Sequence, residues 1–154
     1  NGTRVFLPLL RKRPEGHVVN ISSINGMVPF ANNGPYNVSK YGVLGFTETL
    51  MQELHGQPIR VTCVHPGGIR TGIVRNAIGT TAEEVELFDR IAMTSADQAA
   101  EVILRGVERN KQRVYIGADS KLLAFAKRIM PATTVRMVGA LSKDPPQAPT
   151  PKRA

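Results

Sequence analysis

Three short apolar runs, at residues 17–21, 59–64 and 113–116, are rich in β-branched residues and bounded by turn-forming ones. Stretches with helical periodicity separate them. No other feature constrains the fold as tightly. Each run is apolar at odd and even positions alike, as in a strand buried on both faces. Strands joined through helices must be parallel, with right-handed crossovers and helices covering both faces of the sheet. The fold class is therefore α/β.

The rest of the chain fits around those strands. Residues 4–10 read as the end of a helix, followed by a basic turn at 11–14, with Gly16 opening the first strand. Residues 22–26 and 27–35 read as loop, the latter carrying two prolines and two asparagines besides a glycine. A helix is expected over 36–54, with Val38, Tyr41, Leu44, Leu50 and Leu54 near the helical period and Gly56 and Pro58 stopping it. A turn at 65–68 and an irregular stretch at 69–81 follow. Two helices are expected at 82–92 and 95–108, the second with Ser95 as N-cap and Asp97 in its first turn. A last amphipathic helix, at 119–130, carries Leu122, Phe125, Ala126 and Ile129 on one face, and Pro131 ends or kinks it. Residues 1–143 form one domain, and the proline-rich basic tail at 144–154 is expected to be disordered. Three strands are few for such a sheet. The open edge and the start at Asn1, inside a helix, lead to the expectation of a preceding half on the N-terminal side.

Composition excludes several function classes. The single cysteine, Cys63, permits no intrachain disulfide and no cysteine-based zinc site, and its apolar run makes it a buried structural residue. His17, His55 and His65 have no helical pairing, so no metal site is expected. No apolar stretch is long enough to span a bilayer and no secretory leader is seen, which leads to a cytoplasmic expectation. The net charge is +8, and +5 of it falls from Asp119 onward. A solvated helix face and tail explain that excess; weak contact of the basic segment with an anionic membrane surface is the alternative. Aromatics are only 5% of residues and there is no Trp, which argues against a nucleic-acid-binding module.

Of the three tyrosines, only Tyr36 has a lysine four places on, Lys40. Positions i and i+4 share a helix face. An ammonium beside a phenol favours the phenolate, and a phenol so tuned exchanges a proton with an alcohol or carbonyl oxygen. Ser23 lies just past one strand, Tyr36 opens the following helix, and Pro66-Gly67 leaves the next strand. Active groups of open α/β sheets collect at the carboxyl ends of strands. Three polar features thus converge on one rim.

These features resemble a known family. The segments Asn20-Ile-Ser-Ser23, Tyr36-Asn-Val-Ser-Lys40 and His65-Pro-Gly-Gly-Ile-Arg-Thr71, with the Ser23-to-Tyr36 interval, resemble the C-terminal half of a short-chain dehydrogenase/reductase over residues 1–118. The resemblance implies the C-terminal part of a Rossmann-type doubly wound parallel sheet and NAD(P)-dependent interconversion of an alcohol and a carbonyl. It implies Tyr36 as acid/base, Lys40 as holder of the nicotinamide ribose hydroxyls, and Ser23 as hydrogen-bond donor to the substrate oxygen. Pro66 and Gly67 would shape the wall beside the nicotinamide. Ile69, by its backbone, and Thr71, by its hydroxyl, would hold the carboxamide and a nearby phosphate. The cofactor is NADP or NAD, with NADP favoured. The partners implied are a small-molecule substrate and further copies of the chain, in dimers or tetramers built on the helix of Tyr36.

Some family features are absent. The chain has no glycine-rich phosphate loop after a first strand and no charged residue that selects NAD or NADP. The family's functional asparagine falls before the chain begins, and Asn1 reads as an ordinary helix residue. By itself the chain is expected to bind cofactor poorly. Ile73, Val74, Ala77, Ile78, Leu87, Phe88 and Met93 occupy the place of the family's substrate lid, implying a lipophilic alcohol or ketone unless they only pack helices. A non-catalytic binding protein, or an inactive fragment of the same fold, is the rival reading.

Overall fold

Strand β1 (Gly16–Ile21) pairs in parallel with β2 (Ile59–Pro66), which pairs in parallel with β5 (Arg113–Ile116), giving the order β1-β2-β5. The computed structural model describes residues 2–77 and 79–141; Asn1, Ile78 and residues 142–154, which include Lys143 and the proline-rich tail, lie outside the described residues. Helix α1 (Gly2–Leu10) precedes β1, and α2 (Gly34–Glu53) crosses from β1 to β2. Two short strands, β3 (Ile69–Arg70) and β4 (Thr94–Ser95), flank α3 (Ala82–Ile91). Helices α4 (Ala96–Glu108), α5 (Ala118–Ile129) and α6 (Pro131–Leu141) complete the order. The α/β class and the parallel sheet are as expected.

Side chains of β2 alternate between two apolar layers. Ile59 and Val61 pack with Leu50 and Leu54 of α2, joined by Leu7, Leu10, Val18 and Met51. Val64 joins Ala99 of α4, Val114 and Ile116, with Val19, Val102 and Ile103 around them. Burying each large aliphatic side chain contributes roughly 1.5–3 kcal/mol. Helices therefore cover both faces, as parallel strands require. Cys63 is wholly buried, and burial pushes its thiol up from the ordinary range, which suits a structural residue.

Local chemistry starts the helices. Thr81 caps α3 and Ser95 caps α4, each in a reciprocal box with Glu84 or Gln98. Proline stands in the first turn of α2, where its missing N–H costs nothing.

Several sequence expectations are corrected. The loop at 22–26 contains a 3-10 turn at Ile24–Gly26, with Ser23 as its N-cap. The turn expected at 65–68 begins later, because His65 and Pro66 continue β2 and pair with Tyr115 and Ile116. The irregular stretch at 69–81 opens with β3, which pairs with β4 and so closes the excursion at 71–93 at its base. The break expected at Pro131 is present: α5 ends at Ile129, and Pro131 opens a further helix, α6, that the sequence reading had not anticipated. Val38 and Tyr41 fit the helical period of α2, yet both are exposed. The apolar stripe of α5 is not core either: Leu122, Phe125 and Ile129 are 68%, 65% and 60% exposed. That helix docks instead through buried Ser120, whose hydroxyl donates to the His65 carbonyl at 2.7 Å, and against α6. Periodicity identifies an apolar face but not whether anything covers it.

Candidate active site

The turn after β1 is fastened to α2 by backbone and side chain. Ser22 is buried, and its hydroxyl donates to the Lys40 carbonyl at 2.8 Å. Gly26 passes so close to the same peptide that a Cβ there would lie 2.6 Å from the Lys40 oxygen and 2.3 Å from Ser22 Oγ. Ser23 Oγ accepts from the Asn25 backbone N–H at 3.2 Å and faces Asn25 Oδ1 at 3.4 Å. Asn25 Nδ2 donates to Asn37 Oδ1 at 2.9 Å, and Asn37 Nδ2 donates to the Phe30 carbonyl at 2.8 Å. A chain of short polar side chains therefore links Ser23 to the first turns of α2. Tyr41 adds a further tie by donating its hydroxyl to the Met27 carbonyl, and burial pushes its phenol up from the ordinary value.

Tyr36 and Lys40 lie one helical turn apart on α2. The Lys40 ammonium stands 5.5 Å from the centroid of the Tyr36 ring, within cation–π range. The same ammonium donates to the carbonyl of Ile21, the last residue of β1, at 3.2 Å. Lys40 thus reaches from the helix to the strand end that leads into Ser23. Tyr36 is 38% exposed, and its hydroxyl has no partner among the described residues. A phenol left free beside a fixed cation can serve a ligand.

The strip after β2 is the other wall expected. Gly67 N donates to the Ile116 carbonyl at 2.9 Å, and Gly68 N donates to Asp119 Oδ2 at 2.7 Å. Ile69 is half-buried in β3. Thr71 is exposed, caps no helix, and has its hydroxyl 3.5 Å from the Ile69 carbonyl. A groove elsewhere, beside the free edge of β1, is lined by Phe6, Leu10, Val18 and Phe46 and does not include Ser23, Tyr36 or Lys40.

A profile of the short chain dehydrogenase family matches residues 1–81, more than half of the chain. The chain belongs to this family. It is 42% identical over 147 residues to SadH of Mycobacterium tuberculosis, covering 91% of this chain and 53% of SadH. A short chain dehydrogenase from Burkholderia cenocepacia, solved in complex with NADP, superposes with a TM-score of 0.71 at 24% identity over 93% of this chain and 53% of its own. One from Burkholderia phymatum, in complex with NAD, gives 0.72 at 20% identity over 96% and 57%. These last two likenesses show the fold, the Rossmann-type arrangement of the family. The chain spans about half the length of the relatives it matches.

Sequence reasoning missed several side chains that hold these segments in place. His65 read as a bland strand-end histidine. Its ring is fully buried and stacks on Tyr115 at 5.4 Å between centroids. Its Nδ1 lies 3.2 Å from the Ser23 carbonyl. A carbonyl only accepts, so Nδ1 carries the proton and Nε2 keeps a lone pair, which has no partner among the described residues. Burial pushes the imidazole below its ordinary value and keeps it neutral. Asn25, Asn37 and Asp119 were missed as well. Asn25 stands within the Ser23-to-Tyr36 interval and Asn37 directly follows Tyr36, and that proximity was the only sequence signal for them. Among the described residues no cluster of three acidic, cysteine or histidine side chains holds a metal geometry, and no helix is long and apolar enough to cross a membrane.

Proposed function

We propose that the polypeptide carrying this chain interconverts an alcohol and a carbonyl on a lipophilic small molecule, using a nicotinamide cofactor. The observation that carries this reading is the Lys40 ammonium, held between the Tyr36 ring and the strand end before Ser23. In the direction of reduction, the Tyr36 hydroxyl gives its proton to the carbonyl oxygen as negative charge gathers there. In oxidation the Tyr36 oxygen takes the alcohol proton back. Ser23 donates a hydrogen bond to the same oxygen, and the Lys40 ammonium stands beside the Tyr36 ring.

The donor set fits the nicotinamide end of the cofactor: a free phenol, an adjacent ammonium and an exposed hydroxyl at Thr71. When bound, NADP or NAD supplies or takes the hydride. Lys40 would hold the ribose hydroxyls; Pro66, Gly67, Ile69 and Thr71 would line the nicotinamide. NADP is the first choice for assay and NAD the second. A lipophilic substrate is supported by the excursion at 71–93, where Ile73, Leu87 and Met93 are exposed instead of packing helices. Lys40→Ala is expected to weaken NADPH binding and to lower turnover of secondary alcohols or ketones by on the order of 10²-fold. A fluorescence titration and a steady-state assay measure the two effects; unchanged values for both reject the reading.

Short-chain dehydrogenases are usually oligomeric, and α2 offers a surface for a second copy. Val38 and Phe46 are exposed there, and Gly42 and Gly45 face open space, which permits close helix approach. We also propose a weak contact of the basic C-terminal segment with an anionic lipid surface. On α5, Lys121 and Arg128 border the exposed Leu122, Phe125 and Ile129, and neither cation forms an ion pair among the described residues. Co-sedimentation with phosphatidylserine vesicles, abolished by salt or by Phe125→Glu, is the expected result. Equal sedimentation with neutral phosphatidylcholine vesicles would contradict it.

A further inference from the structure

Two glycines crowd one carboxylate, and a third bonds to it. Asp119 stands in the first turn of α5, where the helix terminus favours an anion. Its Oδ2 accepts the Gly68 N–H at 2.7 Å. A Cβ on Gly67 would lie 2.1 Å from Oδ2, and one on Gly117 would lie 2.2 Å from Oδ1. Gly117 also has a φ of 91°, which side chains rarely adopt. The carboxylate therefore fills a notch left open by glycine on both sides, and it spans the turn after β5 and the turn after β2. Gly67 was expected to shape the nicotinamide wall; the space beside its Cα is occupied by the Asp119 carboxylate.

The strip at 66–71 is held from its other flank too. Arg70 Nε donates to the Ala92 carbonyl at 3.3 Å, and β3 pairs with β4. Asp119 is exposed and forms no ion pair among the described residues. It buries little, so its removal leaves both apolar layers in place and its effect falls on the strip.

We propose that Asp119 is a positioning residue, whose carboxylate sets the placement of the strip at 66–71 and through it the affinity for the nicotinamide end of the cofactor. This rests on the function proposed above. Asp119→Ala is expected to raise the KM for NADPH or NADH by roughly tenfold to a hundredfold, with a smaller change in kcat, since small misplacements of binding groups have effects of this size. The Gly68 amide is expected to exchange its proton faster in that variant. Asp119→Asn is nearly isosteric, keeps an oxygen to accept the Gly68 N–H, and is expected to stay close to the unaltered KM. Faster exchange at Gly68 with an unchanged KM in Asp119→Ala overturns the positioning role and leaves the functional reading standing. An Asn variant as impaired as the Ala variant also overturns it. Absence of any nicotinamide-dependent turnover in the unaltered polypeptide overturns both.

Discussion

Tyr36→Phe is expected to lower turnover by roughly 10²–10⁴-fold while leaving NADPH binding largely intact, because positioned proton transfer contributes about that much. The substitution removes one oxygen and keeps the ring. The ring is what the Lys40 ammonium stands against, at 5.5 Å from its centroid, so the cation keeps its place beside Ile21. The hydroxyl has no partner among the described residues, and its loss leaves no buried group unsatisfied. Thermal stability is therefore expected to stay near that of the unaltered protein. The readouts are kcat for a ketone substrate, NADPH affinity by fluorescence and the melting temperature. Near-normal kcat in Tyr36→Phe would remove Tyr36 from the mechanism.

Gly26→Ala is expected to have the largest effect on stability, about 1–3 kcal/mol, the usual cost of forcing an extra carbon into a packed site. The added Cβ meets the Lys40 carbonyl oxygen at 2.6 Å, and that oxygen belongs to the backbone of α2 and cannot swing away. Relief requires the 3-10 turn at Ile24–Gly26 to lift off the helix, which carries Ser23 with it. Turnover should then fall together with the melting temperature. The second clash, with Ser22 Oγ at 2.3 Å, separates the two causes. Adding Ser22→Ala removes that contact but not the one with the Lys40 carbonyl. Full recovery of stability in the double variant would show that the backbone approach is not what limits this position.

The short-range features of the chain were legible before any coordinates. The β-branched runs became β1, β2 and β5, and the Ser95 cap opened α4. The Tyr36–Lys40 spacing depends on helical pitch alone, so it placed the two side chains on one turn. The family signature is local in the same sense, since each segment directly follows a strand or opens a helix. Residues whose role depends on a partner far along the chain were not legible. Asp119 read only as part of a helix start, because its contact with Gly68 joins positions 51 residues apart. His65 read only as a strand-end histidine, because the Ser23 carbonyl it meets lies 42 residues away. The stripe on α5 read as one apolar helix face, and its exposure was not legible because amphipathicity carries no record of what lies opposite.

By itself the sequence determined the alternation of strands and helices, the parallel sense of the sheet and the helical pairing of a phenol with an ammonium. These follow from periodicity and chain connectivity, which act over a few residues at a time. Only the tertiary structure decided that the Lys40 ammonium reaches the end of β1, that the Ser23 turn is fastened to α2 through Gly26, and that a carboxylate from α5 occupies the space beside Gly67. Those outcomes depend on how closely two backbones approach, a distance set by the packing of whole elements that no local pattern encodes.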